Sequence, residues 1–133
     1  MRGWARRSRV PACAGRGDNP RMTANILVTG GAGYIGSHML KALRQAGFRA
    51  VVADDLSSGR RAAVDDTELH VGDIGDAAFI DGVLAQARPA AVMHFAGSIQ
   101  VGESVADPGK YYRNNVAASG TLLCSVPISG AWT

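Results

Sequence analysis

The stretch Ile26-Leu27-Val28-Thr29-Gly30-Gly31-Ala32-Gly33-Tyr34-Ile35-Gly36-Ser37-His38 constrains this chain more than any other. It reads as a short buried strand, a glycine turn and the start of a helix. Gly31, Gly33 and Gly36 fit G-x-G-x-x-G, and Gly30, Gly33 and Gly36 fit the wider G-x-x-G-x-x-G. Each place has a physical reason for glycine. The first lets the chain turn sharply out of the strand. The second leaves no Cβ where a pyrophosphate approaches the backbone, and the third lets the helix lie close to the strand. Free N–H groups and the positive end of the helix dipole then meet the phosphates. A glycine triplet alone is weak evidence. Here a β-branched strand precedes it and an amphipathic helix follows, which is the context a dinucleotide turn needs.

The rest of the chain continues that pattern. Ile26 to Val28 is strand one. Tyr34 to Ala46 is a helix with Ile35, Met39, Leu40 and Leu43 on its apolar face, and Gly47 closes it. Phe48 to Ala53 is an almost unbroken apolar run, as in a parallel strand buried on both faces. A loop through Ser57-Ser58-Gly59-Arg60-Arg61 leads to a short strand, Glu68 to Val71. Asp76 suits the N-cap of a helix to about Ala87, with Phe79, Ile80, Val83 and Leu84 inward. Strand four runs from Ala90 to Phe95. A polar loop is expected from Ser98 to Asp107, then a helix from Pro108 to about Leu123. This alternation implies an α/β, Rossmann-like, doubly wound parallel sheet. Right-handed crossovers give the order 3-2-1-4, truncated after about four strands. From Ser125 the pattern fails: Pro127 and Gly130 make the tail a poor fifth strand.

The length of 133 residues suits one modest domain. No apolar run approaches the ~20 residues of a membrane span. The net charge of +3 is unevenly placed: Arg2, Arg6, Arg7, Arg9, Arg16 and Arg21 face Asp18 alone, and the remainder is mildly acidic. A basic leader of this kind does not point to nucleic acid. Residues 1–24 are expected to be a disordered arm, 25–124 a partial dinucleotide-binding domain, and 125–133 an irregular tail in which the pattern fails. The arginines suit an organelle transit peptide, and Arg6-Arg7 superficially suggests a twin-arginine signal; a secretory signal needs an apolar stretch after the basic region, and none follows. A start at Met22 is the favoured reading, because strand one begins four residues later. Cys13 and Cys124 form neither a disulfide framework nor a metal site, and reduced thiols in the cytoplasm are the default.

Ligands of such sheets bind beyond the carboxyl ends of the strands, near the switch between strands one and four. Asp54 ends strand two, 18 residues after Gly36. A carboxylate there accepts hydrogen bonds from an adenosine ribose and repels a 2′-phosphate, which favours NAD over NADP. Arg60 and Arg61 argue the other way, but from a loop. Asp73 ends strand three, either beside the adenine or in an Asx-turn. Phe95-Ala96-Gly97 ends strand four, where small residues let the backbone lie against a cofactor; Phe95 suits the core equally. His94 reads as an inward-facing core residue with no chemistry. Asn114 and Asn115 sit inside a helix, where asparagine is unfavourable. That points to one of them bonding a ligand or the loop after strand four.

Taken together, these residues resemble the extended short-chain dehydrogenase/reductase family. Val28 to His38, Val52-Ala53-Asp54-Asp55-Leu56 and Gly72-Asp73-Ile74 carry that likeness. His94 to Gly97, Val101-Gly102-Glu103-Ser104-Val105, Pro108 and Tyr111-Tyr112-Arg113-Asn114-Asn115-Val116 narrow it to the UDP-glucose 4-epimerases of galactose metabolism. The resemblance implies NAD contacts at Gly30, Gly33, Tyr34, Ile35 and Gly36, at Asp54 and Asp55, at Asp73 and Ile74, at Phe95, Ala96 and Gly97, and at Asn114. It implies a UDP-sugar substrate and a homodimer built with helices of this half. In that family NAD takes a hydride from C4 of the sugar and returns it to the other face of the turned keto-sugar. A tyrosine removes the C4 hydroxyl proton, assisted by a lysine four residues later, and a serine or threonine bonds the same hydroxyl.

This chain departs from the family at that pair. Four residues make about one helical turn, so a Y-x-x-x-K pair shares a face. Tyr34, Tyr111 and Tyr112 are followed four residues on by His38, Asn115 and Val116, and the only lysines are Lys41 and Lys110. The catalytic set is therefore empty and no metal site is expected. The expectation is the cofactor half of an epimerase, inactive alone. The tail looks like a frameshift or premature end. Alternatives are a fragment of another nucleotide-sugar epimerase or dehydratase, a non-catalytic NAD-binding module, or a remnant that does not fold stably.

Overall fold

Short apolar runs separated by amphipathic segments produce one layer of strands covered on both faces. The structure is a computed structural model and describes residues 24–126. Strand β1 (Asn25–Thr29) leads to helix α1 (Tyr34–Gln45) and β2 (Arg49–Asp54). A single 3-10 turn, Arg61–Val64, precedes β3 (Glu68–Val71). Helix α2 (Ala77–Ala87) and β4 (Ala91–His94) follow. Asp76 caps α2, its side chain accepting from the N–H groups of Ala78 and Phe79. The sheet has the order β3-β2-β1-β4 with every pair parallel.

Alternation along the strands divides the core in two. Leu27, Val51 and Ala53 point to the face covered by Ile80, Val83, Leu84 and Ala87 of α2, with Ala118 and Leu122. Ile26, Val28 and Val52 point to the face covered by Leu40 and Leu43 of α1, with Val64. A one-residue slip would exchange the faces, so burial on both sides fixes the register. Thr29 is fully buried and lies in register with Ala53 on one side and His94 on the other.

Three expectations are revised. Ile35 is not on the buried face of α1; it is 59% exposed at the open glycine turn, and the helix buries Gly36, Leu40 and Leu43. The polar loop after β4 contains a short helix, α3 (Val101–Ala106). The helix from Pro108 is three pieces: α4 (Pro108–Tyr112), a π-helical turn (Arg113–Ala117) and α5 (Ala118–Ser125). The expected leader, residues 1–24, and the expected tail, 125–133, lie almost wholly outside the described residues.

Candidate functional site

The carboxyl ends of β1, β2 and β4 meet around the glycine turn. Gly30 has φ +71, a left-handed conformation natural to glycine. A Cβ there would lie 2.5 Å from the Ala96 nitrogen and 2.6 Å from the Phe95 carbonyl carbon. The end of β4 therefore closes directly on the turn. At Gly36 a Cβ would lie 2.7 Å from Gly31 Cα and closer still to the Gly30 oxygen. The helix can reach the strand only through glycine here. At Gly33 the nearest atom is 3.3 Å away, so the space above it is open. Gly33 precedes the first turn of α1, whose N–H groups lack helical acceptors. Tyr34 there is 82% exposed.

Asp54 binds this turn together. Its Oδ2 accepts from the Ala32 N–H at 2.9 Å and its Oδ1 from the Leu56 N–H at 2.8 Å, and the residue is only 7% exposed. A carboxylate has about four acceptor sites, so capacity remains for ribose hydroxyls. The Arg60 N–H donates to the Ala32 oxygen at 3.1 Å, so the arginine loop is docked on the turn through its backbone. Asp55 Oδ1 accepts from Ser57 N–H, and Asp73 Oδ1 accepts from Gly75 N–H at 2.7 Å, the Asx-turn geometry. Ile74 is buried against the α2 side of the sheet. Phe95 and Ala96 pack against opposite core faces.

Asn115 clamps the loop after β4. Its Oδ1 accepts from the Ser98 N–H and its Nδ2 donates to the Ser98 oxygen, both at 2.8 Å. Asn114 Nδ2 donates to Ser98 Oγ at 3.1 Å. Both asparagines lie in the π-helical turn, a geometry that recurs at functional sites. His94 corrects an expectation. It is an exposed residue, not an inward one. Its Nδ1 lies 2.6 Å from Thr29 Oγ1 and its Nε2 lies 2.8 Å from Ser119 Oγ. Partial burial holds the ring's pKa below the ordinary histidine value. The sequence did not single out Thr29 or Ser119; a lone hydroxyl ending the apolar run Ile26 to Val28 was the available sign of Thr29.

Tyr111 is not arranged as a base. Its hydroxyl donates to the Gln100 oxygen at 2.6 Å and also meets Glu103, and its pKa is pushed up by desolvation and then by Glu103. Lys110 pairs with Glu103, which lowers the carboxyl and raises the amine. These groups fasten α3 to α4. A groove lined by Arg44, Arg49, Asp66 and Glu68 lies at the amino ends of β2 and β3, the wrong end of the sheet for a dinucleotide. No helix among the described residues is long and apolar enough to cross a membrane.

The residues fit a dinucleotide. They offer an open glycine turn at a helix N-terminus, a fixed carboxylate beside it and a close-packed strand end. The comparisons agree. Residues 26–131 match the NAD dependent epimerase/dehydratase family. UDP-glucose 4-epimerase of Azospirillum brasilense is 57% identical over 107 residues, 80% of this chain and 31% of the relative. That of Rhizobium leguminosarum bv. trifolii is 50% identical, over 79% of this chain and 32% of the relative. UDP-glucose 4-epimerase from Brucella ovis in complex with NAD superimposes with TM-score 0.75 and 49% identity, over 77% of this chain and 31% of that one. The Thermotoga maritima enzyme with UDP-glucose gives TM-score 0.73 and 35% identity, over 76% of this chain and 33% of that one. The chain thus spans about a third of the length of these relatives. On the strength of the glycine turn, the 3-2-1-4 sheet and these matches, the chain belongs to the NAD dependent epimerase/dehydratase family.

Proposed function

We propose that this chain is the NAD-binding part of a UDP-glucose 4-epimerase-like protein and does not epimerise sugars by itself. The observation that carries the reading is the open space over Gly33 between two glycines that tolerate no Cβ, with Asp54 fixed beside it. In this reading the amides of Tyr34 and Ile35, with Gly30, Gly33 and Gly36, receive the pyrophosphate. Asp54 and Asp55 receive the adenosine ribose. Asp73 and the backbone of Ile74 border the adenine. Phe95, Ala96, Gly97 and Asn114 border the nicotinamide half. Residues 25–124 form the partial cofactor domain.

Bound NAD would supply the hydride acceptor. The sequence offers no Y-x-x-x-K pair to move the sugar's proton. General-base catalysis is worth roughly 10²–10⁴-fold. Pairing of two copies is supported by exposed Tyr112, Val116 and Leu123 along α4, the π-helical turn and α5. A cytoplasmic location, where Cys124 stays reduced, belongs to the same proposal. Calorimetric titration with NAD and NADP tests it. Saturable binding of NAD with weaker NADP is expected, and binding of neither contradicts it. With UDP-galactose added, the chain is expected to give no UDP-glucose; turnover would contradict the inactive reading.

A further inference from the structure

We propose that His94 is a positioning residue of the cofactor cradle, held as the neutral Nε2–H tautomer so that it locks the β1–β4 joint against the glycine turn. The inference rests on the cofactor reading above. The Asn115 backbone oxygen is only an acceptor, so Ser119 Oγ, 2.9 Å away, donates its proton there. Ser119 must then accept from His94 Nε2. A neutral imidazole carries one donor, so Nδ1 is the acceptor and Thr29 Oγ1 donates to it. The chain of bonds runs from Thr29 through His94 and Ser119 to the π-helical turn. Asn115 then carries it to Ser98 through its side chain.

Position gives this chain its consequence. Thr29 is fully buried and directly precedes Gly30, against which Phe95 and Ala96 pack. The Phe95 N–H donates to the Thr29 oxygen at 2.9 Å, beyond the last registered pair of β1 and β4. A proton on Nδ1 would turn it into a donor facing the donating Thr29 hydroxyl. That hydroxyl would lose its acceptor in a buried place. β1 presents Thr29 to the ring, and α5 presents Ser119; neither presents a charged group to it. Desolvation by burial shifts the ring further toward the neutral form.

The test uses the 133-residue chain. Imidazole nitrogen NMR is expected to show the Nε2–H form. Exchange of the Phe95 amide, corrected for intrinsic chemistry, is expected to accelerate as pH falls through the ring's depressed value. NAD affinity is expected to weaken roughly tenfold over the same range. His94→Ala is expected to bind roughly tenfold more weakly at neutral pH. His94→Asn, which keeps an acceptor for Thr29, is expected to recover most of that loss and to bind without the pH dependence. The Nδ1–H tautomer, or NAD binding indifferent to both pH and His94→Ala, would overturn the role of His94 alone. Failure of the folded wild-type chain to bind NAD at any pH would overturn the cofactor reading, and the cradle role with it.

Discussion

Gly30, Gly33 and Gly36 look equivalent as letters but differ in what surrounds them. Gly36→Ala drives a Cβ into the Gly30 backbone, and the loss of stability is expected to be about 1–3 kcal/mol or more. Gly33→Ala meets nothing closer than 3.3 Å, so it is expected to change stability by about 1 kcal/mol or less. In the proposed cradle its Cβ would stand where the phosphates approach, and NAD affinity is expected to fall at least roughly tenfold. Denaturant unfolding and calorimetry on both variants check the contrast. Asp54→Ala leaves the Ala32 and Leu56 amides without their acceptor, and about 1–3 kcal/mol of stability is expected to go. The glycine spacing was legible because backbone sterics act within a few residues. The tie from Asp54 to Ala32 was not, because it depends on which amide the folded turn presents. His94 was misread for the same reason. Alternation in a four-residue strand does not reveal a ring that meets Ser119, 25 residues later.

At the scale of elements, strands and long helices follow from local pattern. Apolar runs gave β1 and β2, and the residue pair Asp76 and Gly47 marked helix ends correctly. Helix α3 was not visible, since its stability comes from elsewhere. It has six residues, none of them buried, and is held by Lys110 on Glu103 and by Tyr111 on Gln100. Lys110→Met is expected to speed amide exchange across Val101–Ala106 while leaving global unfolding nearly unchanged. The Glu103 carboxyl is depressed in the fold, so its contribution is present above the unfolded value and lost as pH falls through the folded one. The Lys110 amine is raised, so its contribution is lost only as pH rises through its raised value. Exchange in α3 is therefore expected to stay slow around neutrality and to accelerate in acid. The π-helical turn was foreshadowed only by two asparagines where a helix disfavours them. Asn115→Ala is expected to free the Ser98 amide, read as faster exchange there than at Ile80 in the core.

At the scale of the whole fold, the described residues place the candidate site at one end of a four-stranded sheet. Two core faces fix the strands, and the strand ends fix the cradle. The order 3-2-1-4 was legible because right-handed crossovers leave few alternatives. A reaction was not legible from the cradle: the family's proton-transfer pair has no counterpart in these 133 residues. The glycine turn is the proposed dinucleotide site. Amide chemical-shift mapping during NAD titration tests it most directly. Saturable shifts are predicted at Gly31, Gly33, Tyr34 and Ile35, with smaller ones at Leu56 and Gly97. No saturable shift, or shifts confined to the groove at Arg44 and Arg49, would contradict it.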